Sequence, residues 1–399
     1  MNTLEIPEVA WKGLFQDYRS LVGDTTEASD NFHFATFCQV LGCTIGRRLH
    51  VYHASKLYLN FYTCLVGRTG LTRKDTTLNR GSDILSRLHA ESDGEPNPLF
   101  RIIRGIRSYE GLLDELSGDR KVRMIWVPEL LSLLAKAKQE SLSNIIPALT
   151  ELYDCPDRVN PPIHQKDAAD CKEPFVSIIA GTTQAWLQKA LTERDIYGGF
   201  ANRWTYFFGL PKEPKPNPAK VNPNKRDELI EAINDIRIWA ESVPNGEVTI
   251  SSDAENLFAN YYESYYRRCQ EDGLIPTLIV RVQDFVWKLA LLYAACEMHE
   301  EIQAQHLEIA ICVGDYIEAS ILEVFANFGT AKTKDNENRV LDILRSEGGP
   351  IPERELYRRL NLSARELQAT IEPLVKIGLV KNSHRLTEAG RRIRTYEAI

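Results

Sequence analysis

The sequence predicts an α/β fold: a parallel sheet with helices on both faces, then a helical stretch, then a small C-terminal module. Three observations predict it. Short apolar, β-branched runs alternate with helical periodicity between residues 57 and 210, the pattern of a sheet covered on both faces. One of these runs passes through a glycine loop into a helix. A proline-rich tract at 211–226 and a polar tract at 329–338 divide the remainder. With 399 residues, 43% of them hydrophobic, the chain has room for two or three domains with a large core.

Residues 29–49 place Phe32, Phe34, Phe37, Leu41 and Ile45 at helical spacing, and the helix ends in Gly46-Arg47-Arg48. LYLNFYTCLVG predicts a strand over 57–66. After the loop, TTLNRGSDILSRLHAE is helical. Further strands are expected at 122–127, 174–181 and 204–210, with helices at 108–117 and after Glu129. PKEPKPNPAKVNPNKR, five prolines in sixteen residues, reads as an exposed extended linker. The stretch 227–330 reads as helical, and the tyrosines of YYESYYRR as core rather than a stacking platform. GTAKTKDNEN reads as a second hinge. Residues 339–399 then give three helices and two short strands around Asn382-Ser383, the pattern of a winged helix-turn-helix. Ser363 with Glu366 forms a capping-box signature on the third helix.

Composition narrows the classes. No apolar run reaches the length of a membrane span, and MNTLEIPEVAWKG lacks the basic and apolar regions of a signal peptide, so a cytoplasmic protein is expected. The eight cysteines form no C-x-x-C pair, which argues against a zinc ribbon or finger; they read as reduced and mostly buried. The total charge is −7, but residues 339–399 carry 12 Lys and Arg against 8 Asp and Glu, leaving −11 on the rest. A basic module on an acidic body points to DNA.

The chemistry concentrates in LVGRTGLTRKDTT, residues 65–77. A strand, then Gly67 and Gly70, then Arg73 and Lys74, then Thr76 and Thr77, is the order of a phosphate-binding loop. Its second glycine is missing, and Asp75 follows the lysine where a hydroxyl is usual. Counted without gaps from Gly67, Arg73 takes the lysine position and Lys74 the hydroxyl position. With one extra residue, Lys74 meets the phosphates and Asp75 falls at the metal, where Thr76 or Thr77 can substitute. In a parallel sheet, ligands bind at the carboxyl ends of strands. Glu129, after the run 122–127, can hold Mg²⁺ or polarise water. Thr182 and Thr183, ending another strand, can sense a terminal phosphate. Pro128 stands where a first acidic residue is usual. The same residues also fit structural roles: Glu129 as a helix N-terminal carboxylate and Arg203 as a salt-bridge partner.

Taken together, FATFCQVLGCTIGRRLHV, LYLNFYTCLVGRTGLTRKDTT, RMIWVPELLSLLAKAKQESLSNIIPALTELYDCPDRV, PFVSIIAGTTQAWLQKAL, GGFANRWTYFFGLP and RVQDFVWKLALLYAACE resemble a known family. It is the RecA-like P-loop proteins of phages, prophages and plasmids that accompany primase domains, long catalogued as a domain of unknown function. The resemblance covers roughly residues 33 to 320. It implies an ATP-binding, helicase-like protein, often ring-forming, in a mobile-element replication module. Gly67 and Gly70 match the loop glycines, and one branch of the family reads R-K-G-T-S where this chain has Arg73 to Thr77. Glu129 matches the acidic strand end. Asn202 and Arg203 match an N-R pair whose arginine resembles a finger reaching a neighbouring subunit's nucleotide, and Arg281 resembles a basic residue heading the lid helix.

The expected organisation is a helical N-terminal region at 1–50, a P-loop core at 51–210, the linker at 211–226, a helical lid at 227–330 and a winged helix at 336–399. ATP and Mg²⁺ are the expected cofactors. DNA, further copies of the chain and a separate primase or effector are the expected partners. Arg359, Arg365, Lys381, His384, Arg385, Arg391 and Arg392 are the candidate DNA contacts. The alternative is a catalytically inactive oligomeric scaffold, or a DNA-binding initiator that recruits a partner.

Overall fold

A computed structural model describes residues 4–88, 100–106, 108–117, 122–127, 129–137, 144–159, 171–326, 328, 330–386 and 392–398. The chain divides into two compact units, Met1–Phe325 and Ala326–Ile399.

The first unit opens with α1 (Leu14–Val22) and α2 (Asp30–Ile45), then β1 (His50–His53), β2 (Ser55–Tyr58) and β3 (Tyr62–Val66), which leads through the loop to α3 (Lys74–Leu88). β4 (Phe100–Ile103), α4 (Tyr109–Ser117), β5 (Val122–Val127), α5 (Leu130–Ala137) and α6 (Ile145–Tyr153) follow. The short pair β6 (Arg158–Val159) and β7 (Cys171–Lys172) precedes β8 (Phe175–Thr182), α7 (Gln184–Ala190), α8 (Glu193–Tyr197) and β9 (Trp204–Phe208). The unit ends with α9 (Pro223–Ser242), β10 (Thr249–Ile250), α10 (Ser252–Cys269), α11 (Leu274–Ile279), α12 (Val282–Cys296), β11 (Glu301–Ile302) and α13 (Ala304–Phe325).

This is a mixed α/β unit with a parallel central sheet, in the order β4-β5-β8-β3-β9. The side chains of β3 are all buried, as are those of β8. That explains why both strands read as near-continuous apolar runs. Helix α2 is buried almost all round, which a helix survives only inside the protein. Its Gln39 amide donates to Phe61 O at 3.0 Å, Thr63 Oγ1 at 2.9 Å and Ile178 O at 2.8 Å, fixing the helix to two strands at once. The edge strand β9 is covered by α13. The Ser320 hydroxyl accepts from Phe208 N and donates to Tyr206 O, so the strand's free backbone groups are used.

Several expectations change. The strand expected over 57–66 is two strands. β1 and β2 form an antiparallel hairpin through Ala54, and the chain breaks at 59–61 before β3. There the backbone bonds to side chains: Phe61 N donates to Ser177 Oγ, and Asn60 O accepts from Lys288 Nζ. Edge strand β4, which the sequence pattern does not announce, completes the sheet. The tract 211–226 is neither free nor wholly extended. Lys212 pairs with Asp30 at 2.6 Å, Lys215 pairs with Asp24 at 2.8 Å, and α9 starts inside the tract at Pro223, capped by the Asn222 side chain. The cysteines are as expected, all of them free and five of the eight buried; Cys269 and Cys296 are half-buried and Cys312 is exposed.

The second unit contains α14 (Thr330–Glu347), β12 (Ile351–Pro352), α15 (Glu353–Leu360), α16 (Ala364–Lys376), β13 (Val380–Leu386) and β14 (Arg392–Ala398). The polar tract expected to be a hinge is the start of α14. Its core-facing residues, Val340 and Leu344, lie at the far end of the helix, so the polar start carries no apolar periodicity. Leu356, Leu360, Leu367, Ile371, Leu374, Val380 and Tyr396 complete the core. The capping box at α16 is formed: Ser363 Oγ accepts from Glu366 N, and Glu366 accepts from Ser363 N. The sheet order is β12-β14-β13, all antiparallel. Asn382 and Ser383 sit inside β13, not at a turn. The Ser383 and Thr395 hydroxyls pair across the strands at 2.9 Å, which gives these polar residues a place in the ladder.

Candidate nucleotide site

Val66, Val127 and Thr182 end neighbouring parallel strands on one side of the sheet. Gly67 N donates to Thr182 O at 3.2 Å, which binds the loop's start to β8. A Cβ on Gly67 would lie 2.6 Å from Thr72 Oγ1, so the first loop position admits no side chain. Thr72, which the sequence pattern does not single out, is fully buried and bonds back to Arg68 O through both its N–H and its hydroxyl. Gly70 has φ +76° in open space. Arg73 has φ +51°, the left-handed region that glycine adopts without cost. Helix α3 starts at the next residue.

The position before Lys74, glycine in the usual pattern, has a left-handed backbone here although it carries an arginine. Lys74 stands at the first turn of α3, and its Nζ donates to Gly67 O at 2.7 Å. Burial pulls its ammonium below the ordinary lysine range, against the pull of Glu129, Asp75 and Cys64. Burial also pushes the Cys64 thiol up, and the Glu129 charge adds to this. Arg73 turns away from the loop to pair with Glu27 at 2.9 Å.

Glu129 sits just before α5. Its Oε1 accepts from the Thr182 hydroxyl at 3.0 Å. The neighbouring Thr183 side chain instead caps α7 by accepting from Trp186 N. Thr77 is fully buried with its hydroxyl on Arg73 O at 3.4 Å, Thr76 is half-buried and Asp75 is exposed. Pro128 lies outside the described residues. The donor set of ammonium, carboxylate and hydroxyls fits a magnesium nucleotide. Lys74 would meet phosphate oxygens, and Glu129 with Thr76 would face the ion.

Asn202, Arg203 and Arg281 are elsewhere. Trp204 pairs with Tyr62, the first residue of β3, so Asn202 and Arg203 stand at the amino end of the sheet, opposite the loop. Arg203 donates to Gly199 O at 2.8 Å and to Asp154 at 3.0 Å, and its side chain is only 12% exposed. Arg281 heads α12 and pairs with Asp284 at 3.1 Å and Asp154 at 3.6 Å. Within one chain neither arginine joins Lys74: β3 alone separates the two ends by roughly 13 Å, four steps at the strand rise.

In the second unit, register divides the basic candidates. Lys381 and Arg385 share one face of β13, and His384 lies on the other, opposite Arg394 and beside Arg392. Lys381, His384, Arg385 and Arg392 are exposed. Arg359 is tied to Glu347 at 2.7 Å and Glu355 at 2.5 Å, which offsets its charge. The Arg365 side chain and Arg391 lie outside the described residues.

Glu297, His299 and His306 place ligand atoms within 4.8 Å of one another. They do not suit a cation. His306 Nδ1 accepts from Gln303 N, so Nε2 carries the proton and donates to Glu297, leaving that ring no lone pair. Lys12 already occupies the same carboxylate at 2.7 Å.

No protein-family model and no curated protein matches the chain. Among the solved structures that match is the crystal structure of a full-length MCM homolog from Methanopyrus kandleri, at 13% identity and a TM-score of 0.41. The match covers 79% of this chain and 60% of that one. No helix among the described residues is long and apolar enough to cross a membrane.

Proposed function

We propose that the chain is an ATP-binding, helicase-like DNA motor of a mobile-element replication or defence module. One observation carries this reading: Lys74 opens α3 and closes back onto Gly67, beside the joined ends of β5 and β8 at Glu129 and Thr182. The strand–loop–helix order, the strand-end carboxylate and the neighbouring hydroxyl are the parts that phosphoryl transfer uses. Lys74 binds the phosphates, Mg²⁺ neutralises their charge when bound, and Glu129 orients water. Arg203 and Arg281, at the opposite end of the sheet, reach a nucleotide only across a subunit boundary, so the reading includes a homo-oligomer. The helices of 227–330 act as the lid. The C-terminal unit acts as a winged helix that holds DNA, and a separate primase or effector completes the module.

A second reading, a catalytically inactive scaffold or a DNA-binding initiator, is favoured by Asp75. A carboxylate in the first turn of α3 repels a triphosphate unless an ion lies against it. The test is ATP turnover by the full chain with and without DNA, for the wild type and Glu129→Gln. DNA-stimulated hydrolysis that falls at least tenfold in a variant still binding ATP supports the motor. Nucleotide binding without turnover in either protein supports the scaffold.

A further inference from the structure

A second cavity lies far from the loop, at the amino end of the sheet. It measures about 340 Å³, and its lining includes Lys56, Tyr58, Tyr153, Asp154, Arg281 and Lys288. Lys288 lies in the apolar helix α12 and is 2% exposed. Its ammonium donates to Asn60 O at 2.7 Å and Asn60 Oδ1 at 2.9 Å, and rests 4.2 Å from the centre of the Tyr153 ring. Asn60 is itself held, its Nδ2 donating to Tyr153 O at 2.8 Å, so the lysine's cradle is fixed. Among the described residues no carboxylate pairs with this ammonium. The two acids of the lining are already engaged, Asp284 by Arg281 and Asp154 by Arg281 and Arg203.

A charge buried with no carboxylate in direct contact, Asp284 and Asp154 acting on it only through space, is costly. Burial brings the Lys288 ammonium down to about 8, against the pull of Cys155, Asp284 and Asp154, so it still carries its charge near pH 7 and can meet an arriving anion. Arg281 and Lys56 bring the cations of the lining to three against the two carboxylates Asp154 and Asp284, and Tyr58, Leu57 and Tyr153 supply apolar walls. The volume lies at the small end of ligand sites, which run from about 300 to 1,000 Å³. It suits a phosphate group bearing a small substituent.

We propose that this cavity binds a small phosphate monoester or inorganic phosphate, with Lys288 as the buried counter-charge and Arg281 at its mouth. The site is separate from the loop around Lys74 and stands whether or not that loop binds ATP.

The test is calorimetric titration of the full chain with inorganic phosphate and, in a second arm, with AMP, in a Lys74→Ala background that silences the loop. Phosphate should bind this background and raise its melting temperature. Lys288→Met should bind at least tenfold more weakly; its melting temperature without phosphate reports the separate cost of leaving Asn60 O and Oδ1 without their donor. AMP binding more tightly than phosphate, with the same dependence on Lys288, identifies the ligand as a mononucleotide; equal or weaker AMP binding identifies free phosphate. Equal affinity in the Lys288→Met protein, or no binding to the Lys74→Ala protein, overturns the proposal. If Lys288→Met does not fold, Arg281→Gln decides: a loss of severalfold in phosphate affinity supports the site, and unchanged affinity rejects it.

Discussion

The Lys74 ammonium donates to the Gly67 carbonyl across 2.7 Å, so the lysine holds closed the loop that it would open for a phosphate. A nucleotide has to replace this bond with a charge-assisted one. Lys74→Ala is expected to lose roughly 1.5–3 kcal/mol of nucleotide affinity, about 10- to 150-fold. Calorimetry on the two proteins measures this directly, and equal affinities would place the phosphates elsewhere.

Arg73 carries a left-handed backbone that costs a residue with a Cβ about 1–2 kcal/mol. Its pair with Glu27 is half-exposed, with 51% of the arginine side chain accessible, so water screens it and it returns little of this cost. Arg73→Ala loses the pair and keeps the strain; Arg73→Gly loses both. The glycine variant should be more stable than the alanine variant by about 1 kcal/mol in urea denaturation. The reverse order would mean that the loop relaxes around residue 73.

Arg203 is expected to act across a subunit boundary. Each single variant, Arg203→Ala and Lys74→Ala, should be weakly active or inactive alone. Mixing the two should restore part of the ATPase activity, because some boundaries then join an intact loop to an intact arginine. A monomer with full activity at all concentrations would exclude this arrangement.

The C-terminal unit begins at Ala326 and α14 spans Thr330–Glu347, so a clean deletion removes 326–399; a cut at 336 would divide the helix. Two or three phosphate contacts, drawn from Arg385, Arg391 and Arg392, give a log K against log salt slope of about −2 to −3 per subunit on duplex DNA. The deletion should leave nucleotide binding intact, weaken DNA binding and flatten that slope. Unchanged DNA binding would move the DNA site into the first unit.

His33 is fully buried, and burial, followed by the charges of Lys212 and Arg80, lowers its pKa from 6.5 to about 3. Below pH 6.5 the unfolded chain takes up a proton that the folded chain refuses until about pH 3. The stability this neutral histidine confers is therefore present above pH 6.5 and falls as the pH drops through that window. Between about pH 7 and 5 the wild type should lose on the order of 2 kcal/mol more than His33→Gln. Denaturation midpoints at the two pH values check this; parallel losses would show that His33 is protonated in the fold.

Much of this arrangement is legible in the sequence, for physical reasons. The buried strands β3 and β8 are near-continuous apolar runs, and Gly67 and Gly70 mark a turn that glycine makes cheaply, so strand, loop and helix can be read in order. The left-handed conformation of Arg73 is not legible, because it is a fact of backbone, not of composition. The bond from Thr182 to Glu129 joins residues 53 apart in sequence, and only pairing of β5 with β8 reveals it. Lys288 gives no signal, because one cation in an apolar helix reads as a solvated end of an otherwise buried face. The start of α14 is hidden because its residues are those of a loop.

Gln39 has a further consequence, which concerns time. Its amide gathers oxygens from two strands, and the last of these, Ile178 O, lies 139 residues later in the chain. At about 5–20 residues per second, synthesis takes roughly 7–28 s to deliver that partner. Through that interval the helix that includes Phe32, Phe34 and Phe37, buried almost all round in the finished fold, has been made while the sheet that will shelter it has not. Nascent fragments ending before Ile178 therefore carry this helix without its partner strand and are expected to be among the least soluble forms of the protein.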